Sequence, residues 1–559
     1  MDIRTLTPEI AVGPQIRVED LPALAEAGFR AVICNRPDGE GPDQPNFSEI
    51  ERSARALGLE AMYLPVLSGK VSDADGVAFG QALQRLPKPV LAYCRTGMRS
   101  CSMWALAVAG QQPMSLTVDR ATQAGYDLSG LVRRIANGGK TPVEVAEASH
   151  DIVIIGSGAA GIATASSLLA RDPQLDIAMI DPADVHYYQP GWTLVGAGVF
   201  DADTTARTMG SVLPRSVHWL KAAVAAFEPE RNAVILDGCR VVRYKQLVVC
   251  PGLKLDWHGI EGLSETLGQN GVTSNYRFDL APYTWRLVQD FKKGHAVFTQ
   301  PPMPIKCAGA PQKAMYLSCD HWLRSQVLKD MQVDFFNAGA VLFGVADYVP
   351  ALMAYVQRYQ IGLNFGHTLT AVDGARKVAT FSQALPDGRK EVVTTDFDFL
   401  HVVPPQKAPD FIRVSPLADA AGWVDVDPAT LRHKKFDNLY ALGDVTNTPN
   451  AKTAAAARKQ APVVAHNLLR GLHSGPGPVP SEARYDGYGS CPLTVERGKI
   501  VLAEFTYGGK LAPSFPSWLI DGTQPSSLAW LLKERILPPL YWEGMLKGRE
   551  WLAHPEMVG

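Results

Sequence analysis

A lone cysteine, Cys307, stands in PIKCAGAPQK (Pro304–Lys313), where a glycine-rich phosphate loop would be expected from the layout upstream. That layout begins with VIIGSGAAG. An apolar strand, Ile152–Ile155, ends in Gly156, Gly158 and Gly161, with Ala159 and Ala160 opening a helical run. In such a GxGxxG one glycine makes the tight turn, one lets the backbone approach a pyrophosphate, and one lets helix and strand touch. The helix N-terminus holds the phosphate charge. Asp181 ends the following strand, where an acid accepts hydrogen bonds from ribose hydroxyls. Chains with a second dinucleotide site repeat the Gly-rich loop after a later strand, to dock a nicotinamide hydride donor. Here the strand HAVFTQP runs into Cys307 with only Gly309 beside it. One glycine and a bulky lysine do not supply all three functions. A sulfur atom therefore stands where a hydride donor would bind, and electrons are expected to come from sulfur.

A second chemical centre is predicted near the N-terminus. LAYCRTGMRS reads as a strand, a loop and the start of a helix, with Cys94 at the helix entrance and Arg99 within it. A cysteine ringed by backbone N–H groups and Arg99 is placed to bind anions or act as a nucleophile. Cys94 and Arg99 have four residues between them. Tyrosine phosphatases use five, a cradle sized for phosphate, whereas the shorter loop is typical of rhodanese-like sulfurtransferases and suits a cysteine persulfide. A phosphatase also wants a general acid, for which Asp73 and Asp75 are available; both read equally as caps of a helix beginning near Gly76. Tyr93 replaces the histidine that commonly precedes a phosphatase cysteine. Cys101 falls inside the following helix and reads as core.

The elements that must position these groups divide near residue 145. Up to about Gln112, the strand-like runs EIAVG, FRAVICN, AMYLPV and PVLAYC alternate with helical stretches, one small α/β domain. The polar, Gly- and Pro-bearing stretch Ala136–Asp151 reads as a linker. Beyond it, strand, Gly turn, helix and strand follow in order. Much later NLYALGDV closes a short strand with Gly443 and Asp444, which in two-dinucleotide flavoproteins bond the ribityl and phosphate of FAD. The widely separated pair of motifs argues for FAD over NAD as the resident nucleotide. The predicted fold class is thus α/β: a phosphatase- or rhodanese-like domain (1–135), a linker (136–150), a tandem Rossmann flavoprotein (151–515) and an amphipathic, membrane-associating helical tail (516–559).

Composition narrows the function classes. With 559 residues, 46% of them hydrophobic, the chain can bury several cores. A net charge of −2 argues against a nucleic-acid partner. MDIRTLTPEIAV has acidic and polar residues where a signal peptide needs a basic end and an apolar run, so the cytoplasmic side of a membrane is the expected location. The eight cysteines form no disulfide framework and their spacings fit no zinc site; no metal is expected. No apolar run reaches the ~18–20 residues that span a bilayer. The tail from Ser526 instead mixes Trp530, Leu531, Ile536, Leu537, Tyr541, Trp542 and Trp551 with Lys533, Arg535, Lys547 and Arg549. That composition suits amphipathic helices at a membrane interface, split in two by Pro538–Pro539, or a helix pair packed on the core.

From about Asp151 onward the chain resembles the sulfide:quinone oxidoreductases of the mitochondrial type. The matching strings are HYYQPGWTLVGAG (His186–Gly198), IKCAGAPQKAMYLS (Ile305–Ser318), DAAGWVDVD (Asp419–Asp427), GDVTNTPNAKTAAA (Gly443–Ala456) and YDGYGSCPL (Tyr485–Leu493). The resemblance implies a membrane-bound FAD protein that oxidises sulfide, holds a sulfane sulfur on cysteine and passes electrons to quinone. It also implies a lysine by flavin and quinone, matched here by Lys452, whose alternative reading is a surface lysine at a helix N-terminus. The family uses two cysteines, the first matched by Cys307. The second position is Val445, which has no redox chemistry, so a two-cysteine cycle cannot run as usual. Among substitutes, Cys250 in LVVCPG is available. Cys319 lies too far into the helix, Cys491 reads as a packed residue, and Cys239 as structural. Without a substitute, the flavoprotein half would be a sensing module. The first 110 residues resemble the phosphatase-like domain of beta-lactamase hydrolase-like proteins. Together the halves suggest that a sulfur loaded at Cys307 passes to Cys94 and on to a small thiol or sulfite.

Overall fold

The computed structural model describes residues 2–42, 44–142, 147–237, 240–385, 387–472 and 481–558; Cys239 lies outside them. The chain folds into two compact units. The first comprises Met1–Ser149, Ala222–Arg243 and Asp410–Ala418; the second comprises His150–Lys221, Tyr244–Pro409 and Asp419–Gly559.

In the first unit, β1 (Arg4–Thr7), β2 (Ile10–Gly13), α1 (Leu21–Glu26), β3 (Ala31–Cys34), α2 (Phe47–Ala56), β4 (Glu60–Tyr63), α3 (Asp73–Arg85), β5 (Val90–Tyr93) and α4 (Met98–Ala107) follow in order. The sheet order is β1-β2-β5-β3-β4, parallel except for the edge pair β1–β2. AVIC and VLAY are buried throughout because helices cover both faces, as continuous apolar strands require. Their side chains alternate: Ile33 and Ala92 face a core with Phe79 and Trp104, while Val32 and Leu91 face one with Ile50 and Leu21. Two further helices, α5 (Met114–Gln123) and α6 (Val132–Ala136), complete this unit's described helical elements of five residues or more. Helix α3 begins at Asp73 instead of Gly76. Ser72 is its N-cap, accepting from the Asp75 amide at 3.2 Å while the Asp75 carboxylate takes the Ser72 N–H at 2.7 Å.

The second unit opens with β6 (Glu147–Ile155) from His150 on, α7 (Ala159–Arg171), β7 (Ile177–Ile180), β8 (His218–Leu220) and β9 (Val241–Val249) from Tyr244 on. Strand β6 already includes the end of the stretch expected as linker; residues 143–146 of that stretch lie outside the described ones. A second, parallel sheet combines β10 (Val272–Thr273), β11 (Gly294–Gln300), β12 (Met331–Asn337), β13 (Gly362–Phe365) and β14 (Phe399–His401) in the order β10-β14-β11-β12-β13. Helix α8 (Ala310–Arg324) follows β11 after the cysteine loop. Strand β15 (Leu439–Ala441) then returns to pair in parallel with the end of β9, leading through Gly443 and Asp444 to α9 (Ala454–Leu472). The hairpin β16 (Gly489–Glu496) and β17 (Lys499–Phe505) puts Cys491, Leu493 and Val501 into the core of α8.

The tail departs from expectation. Pro538 and Pro539 do not split it: helical structure runs from Ser527 to Lys547, alternating α turns with wide π turns at Leu532–Ile536 and Leu540–Gly544. Proline removes an amide from the ladder, and the change from π to α turns at this point lets the chain continue without it. Trp530, Lys533, Tyr541, Trp542, Met545 and Leu546 are buried; Leu528, Leu531, Ile536, Trp551 and Leu552 are exposed. Strand Glu556–Val558 pairs antiparallel with Glu482–Arg484. Among the described residues no helix is long and apolar enough to cross a membrane.

Candidate active site

The GxGxxG turn joins β6 to α7 as its glycines require. Gly156 has φ +97°, and a Cβ there would lie 2.6 Å from the Cys250 carbonyl oxygen. A Cβ on Gly161 would lie 1.9 Å from the Gly156 oxygen. Around Gly158 there is open space, so the cradle is closed toward the protein and open on one side. Ala159 and Ala160 form the first turn of α7. Asp181 accepts from the Ser157 amide at 2.6 Å and the Ala183 amide at 2.8 Å, and so closes the loop from the next strand. Gly443, at φ +76°, donates its N–H to Gln460 at 2.8 Å, and burial raises the carboxyl pKa of Asp444 beside it. Ser157 Oγ and Gln460 Nε2 are buried without a protein hydrogen bond. Unsatisfied polar atoms beside a Cβ-free turn fit a bound dinucleotide.

Cys307 sits at φ +50°, an uncommon left-handed conformation for a non-glycine, and its carbonyl accepts from the Ala310 amide at 2.7 Å as the chain turns into α8. Its own N–H donates to the Lys452 carbonyl at 2.8 Å. Lys452 is therefore no surface lysine. It is buried, donates to the carbonyls of Asp444 (2.8 Å) and Thr446 (2.7 Å), and lies 4.4 Å from the centre of the Trp423 ring. Burial pulls its pKa down to about 8. Two separate strings, KCAGAPQK and GDVTNTPNAKTAAA, thus meet at one place.

The sulfur partner of Cys307 is Cys491, with Sγ–Sγ 3.7 Å, and Lys313 Nζ donates to Cys307 Sγ at 3.2 Å. The hydrogen bond between the two sulfurs and then Lys313 hold the Cys307 thiol well below its ordinary range, whereas the same bond and burial push Cys491 well up. Cys307 is the more acidic thiol of the pair. Burial opposes charge on Lys313, but Cys307 and Cys491 outweigh it and raise its pKa. A second buried cation, Lys533 from the tail, also acts on the two sulfurs; burial, then repulsion from Lys313, brings its pKa down to about 7.

The reading of Cys491 as merely packed is corrected by this distance. The reading of Cys250 as a substitute is corrected too: its Sγ lies against the Gly156 carbonyl at 3.7 Å and burial pushes its thiol up. Cys319 and Cys101 are buried with thiols raised by burial. Val445 is fully buried apolar core. The sequence reading gave Lys313 no role and placed Lys533 among the bases of an amphipathic tail; Lys313 stands in the first turn of α8, six residues after Cys307.

In the first unit, the Cys94 loop joins β5 to α4, and Gly97 (φ +90°) donates its N–H to Cys94 Sγ at 3.2 Å. A Cβ on Gly97 would lie 2.1 Å from the Tyr126 hydroxyl. Arg99 does not ring the sulfur. It donates to the Val66 carbonyl at 2.6 Å and to Glu40 at 2.7 Å, and Arg36 donates to the same Glu40 oxygen at 2.8 Å. Asp73 accepts from Arg134 at 2.6 Å and from the Thr141 amide at 2.7 Å, and Asp75 is occupied in the cap. Among the described residues no cysteine belongs to a cluster of three metal-ligating groups.

Residues 150–288 match the model of the pyridine nucleotide-disulphide oxidoreductases. A curated relative, the mitochondrial sulfide:quinone oxidoreductase of Dictyostelium discoideum, is 42% identical over 402 residues, covering 71% of this chain and 86% of that protein. The chain belongs to the sulfide:quinone oxidoreductase family. It is an FAD-dependent oxidoreductase of that family, and residues 2–111 match the phosphatase-like domain of beta-lactamase hydrolase-like proteins. A beta-lactamase hydrolase-like protein of Agrobacterium fabrum is 32% identical over 126 residues, 22% of this chain and 29% of that protein. The family fold is seen again in the crystal structure of the sulfide:quinone oxidoreductase from Aquifex aeolicus, with TM-score 0.60, 17% identity, and coverage of 73% of this chain and 97% of that one.

Proposed function

We propose that this family member oxidises sulfide through a cysteine persulfide at the Cys307 loop and delivers the electrons through FAD to a quinone. The observation that carries the reading is the half-buried Lys313–Cys307 contact, a cation against a sulfur of lowered pKa where a nicotinamide loop is missing. In this reading the amides of Gly156, Gly158, Ala159, Ala160 and Gly161 cradle the pyrophosphate, Asp181 faces the ribose, and Gly443 and Asp444 hold the distal part of the cofactor. When bound, FAD supplies a two-electron acceptor that can pass electrons onward singly or in pairs. Lys313 favours the ionised form of Cys307, and Lys452, whose pKa burial lowers to about 8, still offers a cation at neutral pH for negative charge near the cofactor. Cys307 and Lys313 do the sulfur chemistry; Lys452 fixes the Cys307 backbone.

The domain of residues 1–135 handles the product in this reading. Cys94, under the Gly97 amide, accepts a sulfane sulfur and hands it to a small thiol or sulfite. The tail lies on the cytoplasmic face of a membrane near the quinone, with Leu528, Leu531 and Ile536 among its exposed apolar residues.

Anaerobic titration of the FAD-loaded protein with sulfide, followed near 450 nm with NADPH as control donor, tests the core of this reading. Bleaching by sulfide and its loss in Cys307→Ser support it. Bleaching by NADPH alone refutes it, and no response to either donor leaves a sensing flavoprotein. For the first unit, sulfur transfer from thiosulfate that is lost in Cys94→Ser supports persulfide handling; hydrolysis of an aryl phosphate instead makes it a phosphatase.

A further inference from the structure

Val445 removes one sulfur from the family's usual pair, yet a second sulfur is present from another part of the chain. Cys491 arrives on β16, whose alternation buries Gly489, Cys491 and Leu493. Its Sγ comes to 3.7 Å from Cys307 Sγ. Space for it is made by Gly309: a Cβ there would lie 2.6 Å from Cys491 Sγ and 2.3 Å from Leu493 Cδ2. The remaining described cysteines are buried elsewhere, and Cys491 is the thiol hydrogen-bonded to Cys307.

We propose that Cys307 and Cys491 are the redox dithiol of this enzyme, closing to a disulfide in each turnover. The proposal rests on the sulfide reading above and gives its second sulfur an address. A disulfide bond is about 2.05 Å long, so closure brings the two sulfurs together by about 1.7 Å.

The cycle balances as follows in sulfur and electrons. Hydrosulfide attacks Cys491 Sγ of the disulfide; a new S–S bond forms there, the Cys307–Cys491 bond breaks, and Cys307 leaves as a thiolate neutralised by Lys313. The proton of hydrosulfide stays on the Cys491 persulfide. Attack falls on Cys491 because the better leaving group is the sulfur with the lower pKa, the one beside the lysine. A thiolate acceptor takes the outer sulfur, leaving Cys491 as thiolate and the acceptor as a persulfide. Re-forming the disulfide from the two thiolates releases two electrons, for which FAD, when bound, would be the acceptor. In sum, one hydrosulfide and one thiolate become one persulfide and two electrons.

The test uses the full-length FAD-loaded protein. It is oxidised anaerobically with diamide, quenched with iodoacetamide, digested and mapped by mass spectrometry. The expected result is a single linked peptide pair, Cys307 with Cys491, and after sulfide a persulfide on the Cys491 peptide with Cys307 alkylated. Cys307 left alkylatable after oxidation, or linked to a different cysteine, overturns the proposal. A persulfide on Cys307 overturns the assigned direction of attack. Cys491→Ser and Cys491→Ala, checked for FAD content, should slow sulfide bleaching at least 100-fold; an unchanged rate in either FAD-loaded variant also overturns it. A linked pair in a protein whose flavin sulfide does not bleach would sink the sulfide reading and leave the dithiol standing.

Discussion

The carbonyl of Lys452 accepts the Cys307 amide at 2.8 Å while the Lys452 ammonium is bonded to the carbonyls of Asp444 and Thr446. Its main chain therefore serves the sulfur loop and its side chain serves the Gly443–Asp444 turn. These two functions separate in Lys452→Met, which keeps the first bond and loses the second. The variant should retain Cys307 reactivity toward iodoacetamide within about twofold, yet bind FAD more weakly, by roughly the 1.5–3 kcal/mol of hydrogen bonds to a charged group. Alkylation rate and the 450 nm to 280 nm absorbance ratio of one preparation measure both.

Lys313 touches the sulfur itself. Replacing it in Lys313→Gln removes a cation at 3.2 Å, so the Cys307 thiol should move up toward its ordinary range. The midpoint of Cys307 alkylation against pH is expected to rise by at least one unit, with a ~10-fold or greater loss of sulfide bleaching at neutral pH. An unmoved midpoint would assign the thiolate to the Cys491 hydrogen bond alone.

What was legible in the sequence is what local chain geometry decides. Gly156 to Asp181 is one strand–turn–helix–strand unit, and each residue needed for it lies within that unit. The Cys94 loop was likewise legible as strand, turn and helix. Where the Arg99 side chain goes was not, since Glu40, its partner, comes from a distant loop. The pairing of Cys307 with Cys491 depends on a hairpin reaching α8, a tertiary event that leaves no periodic mark. Its one local trace is the alternation in GSCPL, which says only that Cys491 is inside. Lys533 was hidden for a related reason: on an amphipathic pattern a lysine is assigned to the wet face, and here it is buried and interacts electrostatically with two sulfurs.

Gly161 is tied to Gly156 by steric necessity. A methyl at Gly161 would sit 1.9 Å from the Gly156 oxygen, a contact neither backbone can relieve without opening the turn. Gly161→Ala should therefore fold with little bound FAD. The check is flavin content after purification, with thermal denaturation to show that the protein is folded; full flavin content would contradict the cradle.

In the first unit, Glu40 binds both Arg36 and Arg99, and the Arg99 bond, with help from Arg36, lowers its carboxyl pKa from 4.5. A depressed carboxyl contributes stability that is present above pH 4.5 and is lost as pH falls through the folded-state value. Glu40→Gln should cost about 2 kcal/mol at pH 7, a figure already reduced for the partial exposure of Glu40. The difference from the parent chain should shrink as the pH is lowered below 4.5. Denaturant melts followed by circular dichroism at pH 7 and pH 3.5 measure it.

Lys533 gives the opposite sign. Burial lowers its pKa from 10.5 to about 7, so between those values the unfolded chain binds more protons than the folded one, and stability from this group rises with pH. Below about pH 7 the full cost of a buried ammonium is present; near pH 10.5 it is gone. Lys533→Met should therefore melt at a higher temperature than the parent at pH 6, with the gain fading toward pH 10. The same change removes a cation that favours the Cys307 thiolate, so sulfide bleaching should slow as stability increases. Scanning fluorimetry at pH 6 and pH 9.5, set beside the bleaching rate, tests whether this lysine is retained for reactivity at the expense of stability. A variant that is less stable at pH 6 would show that Lys533 is held by favourable charge instead of strained by burial.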